Sequence, residues 1–99
     1  MRFINPLKHG GNMYVIVTYD IEEIRLNKVR KILKKYLNWV QNSVFEGNIT
    51  LGKLTKCKNE LKKVIKKDYD SIYFYELADI STISKKVLGN EHQPTDRIL

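Results

Sequence analysis

The chain has 99 residues, and its 18 Lys and Arg against 11 Asp and Glu give a formal net charge of +7. This length fits one small domain, and 42% hydrophobic with 29% charged residues excludes a wholly disordered chain. The single cysteine, Cys57, excludes an internal disulfide framework, and no apolar run reaches the roughly 18 residues of a membrane span. With no long apolar segment near the N-terminus, these features predict a cytoplasmic location without membrane attachment.

The first half of the chain predicts a strand followed by a helix. Residues 14–20 are β-branched and aromatic, which is typical of a central strand covered on both faces. From Leu26 to Leu37 the apolar residues recur at three- and four-residue steps. This spacing predicts an amphipathic helix whose lysines point outward.

A hairpin is predicted next. Residues 39–46 have the composition of a strand, and Gly47-Asn48 is predicted to be a turn or a bulge. Residues 49–51 then supply a short neighbouring strand.

The last predicted elements are a helix and further strands. Helical spacing of apolar residues returns from Leu54 to about Lys67, and residues 71–77 form a tyrosine-rich strand. After Ala78 weaker apolar signals predict a loop and one short edge strand, and the tail from Asn90 has no periodicity.

This element order, β-α-β-β-α-β with an extra C-terminal strand, predicts an α+β ferredoxin-like fold. Two right-handed crossovers place both helices on one face of a four-stranded antiparallel sheet. The other face is uncovered and partly apolar, through residues that include Tyr14, Ile16, Tyr73 and Tyr75. We therefore expect a homodimer packed through the sheets, because two-fold dimers are the commonest oligomers.

Positive charge is concentrated in two segments. Residues 25–35 contain six Lys and Arg and no acid, and residues 53–67 contain seven Lys against one Glu, so the rest of the chain is net acidic. Concentrated positive potential attracts polyanions and predicts nucleic-acid binding, whereas two solvated helix faces are the alternative. The segments supply candidate binding residues, among them Lys31, Lys56, Lys62 and Lys63.

Asp20 ends the first predicted strand and is the candidate metal ligand. A carboxylate at a strand end suits a hard cation such as Mg²⁺, which at a nucleic-acid phosphate can activate water. One aspartate is a poor site alone, whereas two copies of Asp20 across a dimer axis would make a plausible one. The alternative is that Asp20 caps the following helix.

Ser43 and Phe45 are two residues apart on one predicted strand and so would face the same side. The Ser43 hydroxyl there could bind phosphate, and the Phe45 ring could stack on a base. Core packing is the alternative for Phe45. Neither His9 nor His92 falls in a predicted element that could supply a base, which argues against a Ser-His triad.

Three segments together resemble the CRISPR-associated protein 2 family. They are Met13-Tyr14-Val15-Ile16-Val17-Thr18-Tyr19-Asp20-Ile21 with the basic residues after it, Gln41-Asn42-Ser43-Val44-Phe45-Glu46-Gly47, and Asp70-Ser71-Ile72-Tyr73-Phe74-Tyr75-Glu76-Leu77 followed by Leu88-Gly89. The resemblance covers a domain of residues 13–90. Residues 1–12 are then an N-terminal extension that we expect to be flexible, and residues 91–99 a tail that we place at the dimer interface.

The resemblance implies a ferredoxin-like homodimer whose C-terminal strands extend the partner's sheet. It implies a role in CRISPR spacer acquisition, in which the dimer bridges two dimers of the CRISPR-associated integrase and its basic surface holds duplex DNA. Some members are metal-dependent endonucleases on RNA or duplex DNA. In those, the residue matching Asp20 is catalytic and binds Mg²⁺ across the dimer axis, Arg25, Lys28 and Arg30 match basic positions, and Ser43 and Phe45 match strand residues beside the site.

Three functions stay open from the sequence. The first is a Mg²⁺-dependent endonuclease centred on Asp20, acting on single-stranded RNA or duplex DNA. The second is a non-catalytic DNA-binding scaffold, and the third is a toxin-type messenger-RNA nuclease on the same fold.

Overall fold

The computed structural model of the chain describes residues 12–77 and 86–89. Its elements in chain order are β1 (Asn12–Asp20), α1 (Glu23–Tyr36), β2 (Asn38–Gln41), β3 (Val44–Thr50), α2 (Leu51–Lys62) and β4 (Ser71–Leu77). This is the predicted β-α-β-β-α-β order. The predicted edge strand after Ala78 and the segments 1–11 and 90–99 lie outside the described residues, apart from 86–89, which follow no helix or strand pattern.

The four strands form one antiparallel sheet with the order β2-β3-β1-β4. The central strand β1 pairs with both neighbours along most of its length, so that Thr18 lies opposite Val44 on one side and Asp20 lies opposite Ser71 on the other. Both helices contribute buried residues to one core on a single face of this sheet. The predicted α+β ferredoxin-like fold is therefore confirmed.

Alternation along β1 separates a helix-covered face from an open face. Val15, Val17 and Tyr19 are buried and pack against the two helices. The residues between them are at most half-buried and share the other face with Tyr73 and Tyr75 of β4, which are 58% and 54% exposed. Among the described residues β1 is thus covered on one face only, whereas its apolar sequence predicts cover on both faces.

The hairpin turn differs from the sequence prediction. The chain reverses at Asn42 and Ser43, so the prediction of one strand over residues 39–46 is wrong. Asn42 has φ +40°, a left-handed conformation that Asn adopts more readily than most residues. Gly47, the predicted turn residue, is buried within β3 at φ +157°, and a Cβ there would lie 3.4 Å from side-chain atoms of Leu37 and Asn38.

The helix boundaries also shift. α1 begins three residues before the predicted Leu26, and α2 ends at Lys62, well before the predicted Lys67. The N-terminus of α2 is fixed by Thr50, whose side chain accepts a hydrogen bond from the Lys53 backbone N–H at 3.2 Å. Because Thr50 caps the helix, Leu51, which was predicted to lie in a strand, is the first residue of α2.

Candidate metal and nucleic-acid sites

Asp20 lies at the end of β1 with its side chain exposed, on the open face of the sheet. Its neighbour across the strands is Ser71. The helix-capping alternative is not what the structure shows, because the N-cap of α1 is Glu22, whose side chain makes no capping hydrogen bond. The strand therefore presents the Asp20 carboxylate to solvent rather than using it locally.

The Asn42–Ser43 turn lies beside this strand end. The backbone N–H of Tyr19 donates to the carbonyl of Ser43 at 3.2 Å, and the indole N–H of Trp39 donates to the carbonyl of Asn42 at 3.0 Å. Ser43 is half-buried in the turn, so it does not share a strand with Phe45 as predicted. The structure instead brings Ser43, through the turn, against Tyr19, the residue that precedes Asp20.

Phe45 is a core residue. Its side chain is fully buried, and its ring centroid lies 6.1 Å from that of Tyr19. A ring without solvent contact has no face on which a base can stack in this structure, so its assignment as a nucleic-acid-binding residue is corrected. Of the two alternatives for Phe45, core packing is the one observed.

Arg25 is held inside the molecule by Asp70. Its Nε and Nη2 donate to the two carboxylate oxygens of Asp70 at 2.6 and 2.9 Å, and Nη2 also lies 2.8 Å from Oε1 of Glu22. The Arg25 side chain is only 14% exposed. Its charge is therefore largely committed within the protein, and a nucleic-acid contact by Arg25 stays a prediction.

The Asp70 carboxylate, whose side chain is fully buried, is the functional group that the sequence analysis missed. Besides Arg25 it accepts hydrogen bonds from the backbone N–H groups of Glu22 at 3.0 Å and Lys66 at 2.8 Å. The Arg25 hydrogen bonds, followed by these backbone donors, hold the pKa of Asp70 well below its ordinary range despite burial. The Asp70 carboxylate in turn raises the pKa of Arg25.

The other predicted cations lie on the helix layer. Lys28 and Lys31 are exposed on α1, and Lys56 and Lys62 are exposed on α2, with Lys63 directly after it. The two helices pack beside each other on one face of the sheet, so the two basic segments share one layer.

Arg30 differs from these lysines because it is half-buried, with its Nε donating to the Tyr19 hydroxyl at 3.3 Å. The structure therefore gathers most of the predicted cations on the helix layer, whereas Asp20 lies on the opposite, open face. The single chain does not bring the two groups together.

The described part of the chain supplies no cluster of co-ligands for Asp20. Among residues 12–77 and 86–89, no group of three or more His, Cys, Asp or Glu side chains is placed to hold a metal ion. The same part of the chain contains no helix that is long and apolar enough to cross a membrane.

Sequence and fold both have counterparts among known proteins. The profile of the family described as CRISPR associated protein Cas2 matches residues 13–82. The chain belongs to the Cas2 family. A relative from Thermodesulfovibrio yellowstonii named CRISPR-associated endoribonuclease Cas2 3 is 65% identical over 86 residues, which cover 87% of this chain and 98% of the relative.

Two solved Cas2 structures show the same fold. One described as the crystal structure of cas2 has a TM-score of 0.75 at 39% identity and covers 90% of this chain and 100% of that chain. The Streptococcus pyogenes Cas2 structure at pH 6.5 has a TM-score of 0.64 at 33% identity and covers 75% and 98%. The predicted family is confirmed, and the Cas2 match includes Asp20, Asp70 and both basic segments.

Proposed function

We propose that the chain acts in CRISPR spacer acquisition as a cytoplasmic, nucleic-acid-binding homodimer with a Mg²⁺-dependent endonuclease centre at Asp20. One observation carries this proposal: the Asp20 carboxylate is exposed at the end of the central strand, on the sheet face opposite the two described helices. Membership of the Cas2 family and relatives named as CRISPR-associated endoribonucleases support it.

The homodimer follows from the open face. Tyr73 and Tyr75 project from β4 onto this face beside half-buried Ile16 and Tyr14 of β1. A contiguous exposed apolar patch of this kind marks an interaction surface, and a second copy is its simplest cover. Two copies packed on this face bring both Asp20 carboxylates to one interface.

Mg²⁺ suits such a pair of carboxylates. This cation takes oxygen ligands, keeps several waters and needs only one or two carboxylates when a phosphate supplies the rest. Asp20 of each subunit would hold it, and the bound ion would supply neutralisation of phosphate charge and a water of lowered pKa. Ser43, in the turn next to this end of β1, would help to position the scissile phosphate.

The lysines of the helix layer supply the second part of the proposal, which is binding to the nucleic-acid backbone. Lys28, Lys31, Lys56 and Lys62 are exposed, and none of them forms a salt bridge within the described residues. Free surface cations bind phosphates without reading sequence, so binding is expected to be salt-sensitive and weakly sequence-specific. In spacer acquisition the polyanion is duplex DNA and the protein partner is the CRISPR-associated integrase.

A second candidate function is the non-catalytic scaffold, which is favoured because the described residues contain no group of three or more His, Cys, Asp or Glu side chains placed to hold a metal ion. A toxin-type messenger-RNA nuclease on the same fold depends on Asp20 as the endonuclease does. One pair of variants separates the scaffold from the two nucleases.

The test compares wild type with Asp20→Ala and Asp20→Asn on single-stranded RNA and on duplex DNA, with Mg²⁺ and with a chelator. We expect wild type to cleave only with Mg²⁺ and both variants to lose at least about a hundredfold in rate, because the metal loses its ligand. Asp68→Asn, which changes an exposed aspartate in the α2–β4 connection, serves as the matched control. Full activity in Asp20→Ala would reject the nuclease, and unchanged nucleic-acid binding in that variant would then favour the scaffold.

A further inference from the structure

A groove between α1 and β2 combines aromatic and basic side chains. It has a volume of about 260 Å³ and is lined by Arg30 and Lys34 of α1 and Trp39 of β2, and it adjoins Phe45 of β3, whose side chain is fully buried. The indole N–H of Trp39 is used to hold the Asn42 carbonyl, which fixes the ring in place as one wall. The groove is smaller than typical pockets for drug-sized ligands, about 300–1,000 Å³, and suits a single ring system.

The cations of this groove have no carboxylate partner among the described residues. Within residues 12–77 and 86–89, neither Arg30 nor Lys34 forms a salt bridge, in contrast to Arg25, Lys35 and Lys58. The Tyr19 hydroxyl accepts a hydrogen bond from Nε of Arg30. This bond orients the guanidinium but does not neutralise its positive charge. Two positive charges beside a fixed aromatic ring attract an anion that carries a flat group.

The basic lining continues along α1. Arg30 and Lys34 also line a second groove, together with Asn27, Lys28 and Lys31. The two grooves therefore share two cations and form one track, which is basic along the helix and aromatic at its β2 end. A phosphate backbone laid on the track would place a base next to Trp39.

We propose that this track binds single-stranded nucleic acid, with a nucleobase stacked on Trp39 and the flanking phosphates on Arg30 and Lys34. The inference rests on the nucleic-acid binding proposed above and adds a subsite for an unpaired base. In a duplex the base faces are stacked on each other, so only the phosphates could use the lysines. Base–aromatic stacking combined with a basic groove is the usual way in which proteins hold single strands.

The experiment uses Trp39 as its own reporter, since it is the only tryptophan in the chain. The full-length protein is titrated with a thymidine homopolymer, with the same strand annealed to its adenosine complement, and with inorganic phosphate, while Trp39 emission is recorded. Anisotropy of labelled strands gives the affinities in parallel. We expect the single strand to quench Trp39, and the duplex to bind with little quenching.

Two pairs of variants localise the binding. Lys34→Gln should weaken single-strand binding several-fold, whereas Lys86→Gln, which removes an exposed lysine outside both basic segments, should leave it near wild type. Trp39→Leu should weaken it about tenfold, whereas Trp39→Phe keeps a ring and should retain most of the affinity. The near-ultraviolet circular dichroism of each variant shows whether the hairpin is intact.

The outcomes separate this inference from the proposed function. The subsite is overturned if the duplex binds but the single strand does not quench Trp39 emission. It is also overturned if inorganic phosphate quenches Trp39 emission as strongly as the single strand does. In both cases the proposed nucleic-acid binding still stands. Equal single-strand affinity in Trp39→Leu and wild type also overturns it. Absence of binding to both strand and duplex rejects the two proposals together.

Discussion

The Asp70 carboxylate connects parts of the chain that are far apart in sequence. It accepts hydrogen bonds from Arg25 in the first turn of α1, from the Glu22 backbone just before that helix, and from the Lys66 backbone after α2. A buried carboxylate is costly unless its charge and its lone pairs are satisfied, and here four donors satisfy them. Because Glu22 is two residues from Asp20, the network also fixes the connection that follows the candidate metal ligand.

Removing the charge of Asp70 should therefore destabilise the fold. We expect Asp70→Asn to lower the melting temperature by about 10 °C, because Arg25 keeps a largely buried charge without its main partner. Thermal unfolding followed by circular dichroism measures this. Glu22→Gln removes only the more exposed carboxylate beside Arg25 and should change the melting temperature by about 2 °C or less. An equal decrease in melting temperature in both variants would contradict this role for Asp70.

Because the pKa of Asp70 is low, the difference in stability between wild type and Asp70→Asn is expected to depend on pH. Since the folded-state pKa is below the ordinary value of about 3.9, the stabilisation is complete above that pH and is lost as the pH falls further. Urea denaturation of wild type and Asp70→Asn at several pH values should show a constant gap above about pH 5 that narrows below about pH 4. A gap that stays constant down to about pH 2 would show that the charge of Asp70 is not what stabilises the fold.

Among the elements, those defined by periodicity were predicted well and the hairpin was not. The tyrosine-rich strand β4 has the predicted bounds, and α1 agrees to within three residues at each end. The hairpin failed because its turn was assigned to Gly47, whereas Gly47 lies inside β3 with φ +157°, a backbone conformation that L side chains rarely adopt. The pairing of β3 with both β1 and β2 arises from tertiary structure, which local turn preferences do not contain.

The candidate site likewise has features that the sequence pattern predicts and features that depend on tertiary structure. The exposed Asp20 at a strand end follows from the pattern of β1 alone. The Arg25–Asp70 pair does not, because 45 residues separate its members and only the crossovers bring them together. Arg25 therefore looked like a free surface cation in the sequence.

The N-terminus of α2 allows a test of element boundaries. Thr50 caps the helix, whereas Thr55 lies inside it and donates back to the Leu51 carbonyl at 3.0 Å. We expect Thr50→Ala to lower the free energy of unfolding in urea by about 1 kcal/mol, because the Lys53 N–H loses its acceptor. Thr55→Ala should be neutral or slightly stabilising, since Ala is the better helix former, and a larger loss there than at Thr50 would contradict the assigned cap.

At the scale of the whole molecule, the two faces of the sheet have different chemistry. The helix layer carries most of the lysines, and the open face carries tyrosines, aliphatic residues and Asp20. Tyr14 on this face is close to Glu46 of β3, and burial, followed by the charge and the hydrogen bond of Glu46, raises the pKa of Tyr14 to about 12. The Tyr14 hydroxyl therefore stays protonated at neutral pH and can donate to Glu46.

The apolar patch on the open face predicts that a charged residue introduced there weakens formation of the proposed dimer. We expect Tyr75→Glu to convert the proposed dimer to monomer at micromolar concentration, because it places a carboxylate opposite Ile16 in the apolar patch. Tyr69→Glu is the matched control, since Tyr69 is 69% exposed and precedes β4 outside the sheet. Light scattering after size-exclusion chromatography measures the mass, and a dimer that survives Tyr75→Glu would place the interface elsewhere.

Sharing of a metal ion between the Asp20 carboxylates of two subunits would have a thermodynamic consequence. Under the proposed function, the Asp20 residues of two subunits share one cation. Binding of the cation then raises the affinity of one subunit for the other, and dimer formation raises the affinity for the cation by the same factor. Divalent cations would then tighten self-association, and chelation would loosen it even without any substrate. Sedimentation of wild type and Asp20→Asn across a magnesium titration measures this coupling, which should be present in the first and absent in the second.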